Sequence, residues 1–529
     1  MFRRALLPLL LLLPALLRAQ ARHEISDVTG FLLRNSGAFL RHDSVRGYYF
    51  LYETEKQHQD TQRYALALLD AALKPLRTLH FDGTKALHLV ETADNGQELM
   101  FLFFDPKAKQ LQYRVLRPDT DSVSLFTRVL ERNTVETLRT AFKAPGGSAP
   151  SENTYLVPVP GRGFLSTIPT GGPFSASYEV QFFDVAADRT WSYVPAAVTD
   201  LTHGAQYLGQ TDSLALFETH TRNSALFAKT ESFLMALSLR TGQPAYETRL
   251  ADSSYQTYPM YAGRKAGSNN LLVIGPHFLG RNKYTASRSM GIALWELDET
   301  GKALRTVYNF YAEDFSRYID VSNGHIDRLG FLYYHDIRQL PDGRIVVSGE
   351  GYYKSPNPGG ILASALTLGA ATALSTGGPV AGKLTQMVVS DMALLQFDDQ
   401  FRLTGFRIFE KKNNIARFAS SLFSSPHNDA RRIRALGYFD YCFSLGSGRT
   451  SFRTGYLGHE KSRSHKIPSF QSLHYRDGLV IHEKALLPSR ADRQRVYPAN
   501  GDQVLVAEVF RKERRLALRL EPLQPVLEQ

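Results

Sequence analysis

Short apolar stretches rich in aromatic and β-branched residues, each halted by a cluster of turn formers, recur along most of this chain. Gly47–Glu53 (GYYFLYE), Ala86–Thr92 (ALHLVET), Leu99–Asp105 (LMFLFFD) and Tyr178–Asp184 (YEVQFFD) are examples. Such compositions suit a pleated, half-buried backbone. A second pattern lies over the first: an apolar strand, a charged turn and a more polar returning strand. It reads ALALLDAALKPLRTL from Ala65, ALWELDETGKALRTV from Ala293 and ALLQFDDQFRLTGFRIF from Ala393. The turns supply residues tolerant of positive φ and side chains that cap free amides. Hairpin ends near Asp70, Asp105, Asp184, Arg240, Asp298 and Asp398 are followed by two late hairpins, SFQSLHYRDGLVIHEKAL and GDQVLVAEVFRKERRLALRLEPL.

A supersecondary unit reused in this way predicts an all-β fold, a β-propeller of four-stranded antiparallel blades. The expected count is seven or eight blades, with seven preferred, the two chain ends sharing a closing blade and irregular loop insertions between strands. The rival is a separate N-terminal β region over 22–170, bounded near Pro169–Ala176, followed by a smaller propeller. Thr120–Phe142 reads as a helix or as a strand pair joined near Asn133. The segment 356–382 carries no charge and is rich in small residues. It is expected to be a loop or short helix packed on one end of the body, with a membrane-touching or partner-inserting arm as the alternative.

Composition adds a compartment. Residues 1–21 (MFRRALLPLLLLLPALLRAQA) open with two arginines, Arg3 and Arg4, followed by an apolar run too short to span a bilayer and a small-x-small ending. That is the pattern of a signal peptide cleaved after Ala21 or Ala19, leaving no transmembrane helix and placing the protein in the periplasm or outside the cell. The single cysteine, Cys442, permits no intrachain disulfide and is expected as a buried, inert thiol. The net charge is +11, and from Phe401 onward there are 23 Lys and Arg against 12 Asp and Glu. A basic final third suits an anionic surface: a glycan, an envelope component or an acidic protein. Nucleic acid is not expected, because the chain is exported and its basic residues lie singly among strands.

Candidate chemistry is sparse. His325 with Asp327, His335 with Asp336, and His427 with Asp429 bring imidazole and carboxylate close in sequence, as proton exchange or ligand binding requires. Glu350, between glycines and followed by Tyr352 and Tyr353, suits sugar recognition, where rings stack on apolar sugar faces and the acid accepts hydroxyl hydrogen bonds. These eight residues, His325, Asp327, His335, Asp336, Glu350, Tyr352, His427 and Asp429, are the ligand-binding candidates. G-x-S-x-G, P-loop, HExxH and C-x-x-C motifs are absent, and no metal or cofactor is predicted. The RAQA ending of the leader, LPDGRIVVSGEGYY and the MALLQFDDQFRL hairpin resemble poorly characterised exported β-propeller proteins of the Bacteroidota group. That resemblance implies a fold and no catalytic residue. The reading is an exported binding or scaffold propeller whose ligand is a protein, envelope component or glycan, with a glycan hydrolase or lyase as the alternative.

Overall fold

The fold is given by a computed structural model. It describes residues 21–526 apart from 42, 57–60, 118–121, 143–153, 173–175, 198–200, 224–229, 281–287, 323, 358–384, 413, 421–425, 447–449 and 462–465. The leader, nearly all of the 356–382 segment and most of the loop after Gly280 lie outside those residues.

Strands follow the sequence pattern into eight antiparallel sheets with four strands each in consecutive order, some carrying an extra short strand. Blades I to VII occupy 30–84, 88–129, 156–193, 201–248, 255–310, 331–420 and 441–486. Blade VIII takes three strands from 493–522, and its fourth is Arg22–Ile25, paired antiparallel to Arg515–Pro522 with Ile25 opposite Leu516. The chain ends thus close the ring through backbone hydrogen bonds, as the shared closing blade required. The residues of the proposed separate N-terminal region form blades with the same strand order as the rest.

Burial explains the order. In blade II the strand Leu99–Asp105 is buried at every position. Met100, Leu102 and Phe104 face blade III, while Leu99, Phe101 and Phe103 face blade I. A period of two therefore feeds two different cores, and a middle strand must be apolar on both faces. Outer strands such as Pro75–Thr84 alternate between exposed and half-buried residues. Eight main apolar clusters result, each shared by two neighbouring blades, and the last joins blade VIII to blade I through Leu505, Leu516, Tyr48 and Phe50. Eight interblade cores need eight blades, which corrects the preferred seven. The two late hairpins belong to separate blades, and the N-terminal strand completes the eighth.

The described part of 120–142 is neither a single helix nor a strand pair joined near Asn133. Val123–Val129 is the outer strand of blade II, and Arg132–Ala141 is a helix, α1, that buries Val135 and Leu138 three residues apart on one face. Cys442 is buried, and desolvation pushes its thiol well above the ordinary range, as expected of an inert cysteine.

Antiparallel order divides the loops between two faces. Turns joining first to second and third to fourth strands lie on one face and are short, the longest being 117–122 and 265–270. The other face carries the described second-to-third turns and interblade connections, including 130–142, 311–322 and 426–440. Loops on a rigid scaffold are where binding residues concentrate, so this loop-bearing face positions the site. No helix among the described residues is long and apolar enough to cross a membrane.

Candidate functional site

Blade VI departs from regular pairing in all four strands at one level. The first strand, Phe331–Gln339, slips between Tyr334 and Asp336, leaving His335 as the extra residue. The second, Ile345–Pro356, slips between Glu350 and Tyr352. Opposite that slip, the third strand pairs Met392 with Phe409 and then Val389 with Asn414, so Glu410, Lys411 and Lys412 leave the outer strand. Bulges re-aim side chains, and irregularities at all three strand pairings turn polar groups both inward and outward. Glycine permits the crossing: a Cβ on Gly351 would lie 2.2 Å from Ser390 Oγ and 2.6 Å from the Leu329 carbonyl oxygen.

Inward, the bulges assemble a buried ionic cluster. His335 Nε2 lies 2.9 Å from Glu350 Oε2, and Lys411 Nζ lies 3.0 Å from Glu350 Oε1 and also contacts Asp440. The amides of Asp440 and Tyr441, where blade VII begins, donate to Glu350 at 3.2 and 2.9 Å, and Asn414 donates to Asp440 at 3.0 Å. The His335 ring stacks on Tyr441 at 4.6 Å with an interplanar angle of 4°. Burial opposes ionisation of Glu350, but the Lys411 ammonium, His335 and the Tyr441 amide outweigh it and hold the carboxyl at about 2. Burial lowers His335 to about 4 against the pull of Glu350. Asp440 moves the other way: burial, reinforced by the Glu350 charge and resisted by Lys411, pushes it up to about 6.

Outward, the same level opens a cleft of about 730 Å³ on the loop-bearing side, lined by His325, Asp327, Arg328, Tyr353, Asp391 and Glu410 among others. Arg328 holds a left-handed backbone, φ 64°, and its guanidinium reaches Asp391 at 2.7 Å and Glu410 at 2.8 Å. Asp391 Oδ1 accepts the Lys411 amide at 2.8 Å, which ties the cleft wall to the cluster beneath. A non-glycine residue at positive φ is uncommon, and here it is braced by two carboxylates.

The eight candidates separate accordingly. His325 and Asp327 line the cleft, whereas His335 and Glu350 lie in the buried cluster, so the Glu350 carboxylate meets protein groups in place of a sugar. Asp336 accepts from Arg338 at 2.8 Å and from Ser444 at 2.6 Å. Tyr352 is 1% exposed and belongs to the core between blades V and VI, out of a ligand's reach. His427 and Asp429 sit on a helix, α2 (Pro426–Ala435), and not on a strand, which places them two positions apart on a helix surface. Asp429 pairs with Lys354 at 2.9 Å, and His427 is buried against Tyr258 and Phe278. From the same helix, Arg431 covers the Tyr258 ring and lies 3.8 Å from the buried Glu218. Helix α2, between blades VI and VII in the chain, thus reaches back to blades IV and V.

Sequence reasoning passed over Arg328, Asp391, Glu410 and Lys411. The hint available was the charged EKK run directly after the strand ending at Phe409, where the other hairpins have no such break. A further set, His474, Glu483 and Asp502, has the composition of a metal site. Arg453 already lies among them, 3.0 Å from Glu483 and 2.8 Å from Asp502, and supplies the balancing cation.

Residues 1–524 match a family of unknown function, DUF6770. The chain belongs to that family. No curated protein matches it. Among solved structures it is similar to the β-propeller domain of the trilobed protease from Pyrococcus furiosus, at 8% identity and TM-score 0.34, over 87% of this chain and 94% of that one. An oligogalacturonate lyase in complex with manganese is similar at 10% identity and TM-score 0.36, over 90% and 98%. Prolyl oligopeptidase B from Galerina marginata is similar at 10% identity and TM-score 0.33 over 83% of this chain, which spans only 47% of that protein's length.

Proposed function

We propose that this DUF6770 protein is a binding propeller that seats a hydroxyl-rich ligand, a glycan, in the blade VI cleft. The observation that carries this reading is the line of irregularities through all three strand pairings of blade VI, which gives one blade an open polar cleft on the loop-bearing face. Carboxylates, a guanidinium, an imidazole and the Tyr353 ring converge there, the set of groups that hydroxyls and sugar faces engage. Binding is favoured over glycoside hydrolysis because Arg328 holds both Asp391 and Glu410. Glycoside hydrolysis needs a pair of carboxyl groups flanking the scissile bond, and here one guanidinium engages both.

Glycan-array binding followed by calorimetry tests the reading. Asp327→Asn and Tyr353→Ala are expected to weaken a bound glycan at least tenfold with an unchanged melting temperature, while Asp336→Asn, outside the cleft, leaves affinity intact. Absence of any glycan ligand, or equal affinity in all variants, overturns it. Export is part of the same proposal. The Ala21 carbonyl accepts the Leu520 amide at 3.0 Å in the closing blade, so cleavage after Ala19 preserves a bond that cleavage after Ala21 would cut. Mass spectrometry of the secreted chain should find Gln20 at its start; an intact leader on the cell-associated protein refutes export.

A further inference from the structure

The basic final third of the chain is used unevenly. Lys411 balances buried carboxylates, Arg453 spans Glu483 and Asp502, Lys484 pairs with Glu460, Arg515 with Glu24 and Glu513, and Arg519 with Glu508 and Glu521. Arg490, Arg493, Arg511 and Lys512 differ: all four are exposed, and none forms an ion pair among the described residues. Local structure brings together the two segments that carry them, at Asp492–Arg493 and Val509–Arg511, with Arg490 and Lys512 adjacent in sequence. Arg493 stands opposite Val509, the Asp492 amide donates to the Val509 carbonyl at 2.9 Å, and the Arg511 amide donates to Asp492 Oδ2 at 2.7 Å.

An internal comparison shows that the fold does not demand these cations. The second-to-third turn of blade II, Asp105–Gln110, and that of blade VIII, Phe510–Arg515, both place a left-handed residue fifth, Lys109 at φ 54° and Arg514 at φ 49°. In blade II the Asp105 carboxylate caps two amides of its own turn at 2.9 Å. In blade VIII that position is Phe510, the amide cap comes from Asp492, and the turn is filled with Arg511, Lys512 and Arg514. The Arg514 carbonyl accepts the Val28 amide at 2.9 Å, joining this rim to a cleft of about 820 Å³ between blades VIII and I lined by His23, Arg63, Arg77 and His80, with Glu24 and Asp27.

We infer that this rim is a docking surface for a linear acidic polysaccharide. The cations lie along open turn ends and do not converge on one buried point, so a small anion would meet only one or two screened charges. A polymer with repeated carboxylates or sulfates engages several at once and gains by multivalency and counterion release. A saccharide is favoured over an acidic protein because no exposed large apolar residue lies within 488–493 or 510–515, whereas protein partners anchor on buried aromatic and aliphatic hot spots. The surface is separate from the blade VI cleft and stands whether or not that cleft binds a glycan.

Retention of the full mature chain on immobilised alginate and heparin, with affinities measured across a salt series, tests the inference. The variant Arg490→Gln/Arg493→Gln/Arg511→Gln/Lys512→Gln is expected to lose affinity on the order of 10- to 100-fold at low salt. Its slope of log affinity against log salt should fall by about 3, at roughly 0.7–0.9 per lost contact. Lys107→Gln/Arg240→Gln/Lys302→Gln/Arg402→Gln removes the same charge from exposed turns of other blades and should bind like the parent. No retention of the parent, equal losses in the two variants, or poly-L-glutamate binding as tightly as both polysaccharides would each overturn it.

Discussion

Lys411→Met probes whether the blade VI cluster is held by charge balance. Lys411 is fully buried and is the ammonium shared by Glu350 and Asp440, with Glu350 Oε1 at 3.0 Å. Methionine keeps much of the side chain's volume, so packing changes little and the effect is electrostatic. Removing one member of a buried ion pair costs about 3–5 kcal/mol. Two carboxylates lose their cation here, so the upper part of that range is expected at pH 8. A carboxylate left in this state takes up a proton, and each pH unit below its raised pKa recovers about 1.4 kcal/mol. The loss should therefore shrink to about 2 kcal/mol or less at pH 5. Guanidinium unfolding followed by intrinsic fluorescence, with parent and variant compared at each pH, measures both values. Adding Glu350→Gln to Lys411→Met should recover part of the loss at pH 8. A variant within about 0.5 kcal/mol of the parent at pH 8, or one equally destabilised at both pH values, refutes the charge-balance argument.

Two further outcomes follow from the same blades. Gly351→Ala forces a Cβ against Ser390 Oγ and a backbone oxygen, so it should destabilise by about 1–3 kcal/mol in the same unfolding assay; parent-like stability would show that the bulge has room to spare. Burial lowers His277 and His427 to about 3 and His335 to about 4, while Asp440 is raised to about 6. The depressed histidines contribute stability that is fully present above their ordinary value of 6.5 and is lost as pH falls toward 4 and 3. Asp440 opposes them, adding stability as pH falls through 6. From pH 7 to 5.5 three histidines lose about 1.4 kcal/mol each and Asp440 returns under 1, a net loss of roughly 3 kcal/mol. Stability that is flat or rising over that interval contradicts the assignment of neutral buried imidazoles.

Much of the ring was legible because its repeating unit is local. Asp70, Asp184, Asp298 and Asp398 mark third-to-fourth turns of blades I, III, V and VI, and Asp105 marks the second-to-third turn of blade II. In each, a carboxylate opening the turn caps amides one turn length away. Such signals need no long-range partner. The blade count was harder, since closure depends on Arg22–Ile25 pairing with a strand almost the whole chain away. The site was less legible still. Glu350 and Tyr352 read as sugar-binding from their neighbours in sequence, yet alternate positions beside a bulge do not keep alternate faces. His427 and Asp429 were read with strand spacing, whereas Asp429 and Arg434 belong to the buried side of a helix.

The buried charges of blade VI are best understood as the consequence of its open cleft. A bulge leaves backbone groups without ladder partners, and three aligned irregularities would leave several in one dry place. Here the amide of the looped-out Lys411 finds Asp391, and Glu350 accepts the Asp440 and Tyr441 amides from the start of blade VII. Once two carboxylates serve as acceptors in the interior, a cation must accompany them, and Lys411 enters from the looped-out segment of the outer strand. His335, displaced by the first bulge, completes the set. On this reasoning the cluster is a brace that lets one blade break its pattern while both of its neighbouring apolar cores remain continuous, and ligand recognition falls to the groups above it. Removing the brace should loosen the cleft together with the fold, whereas removing Asp327 or the Tyr353 ring should silence the cleft alone.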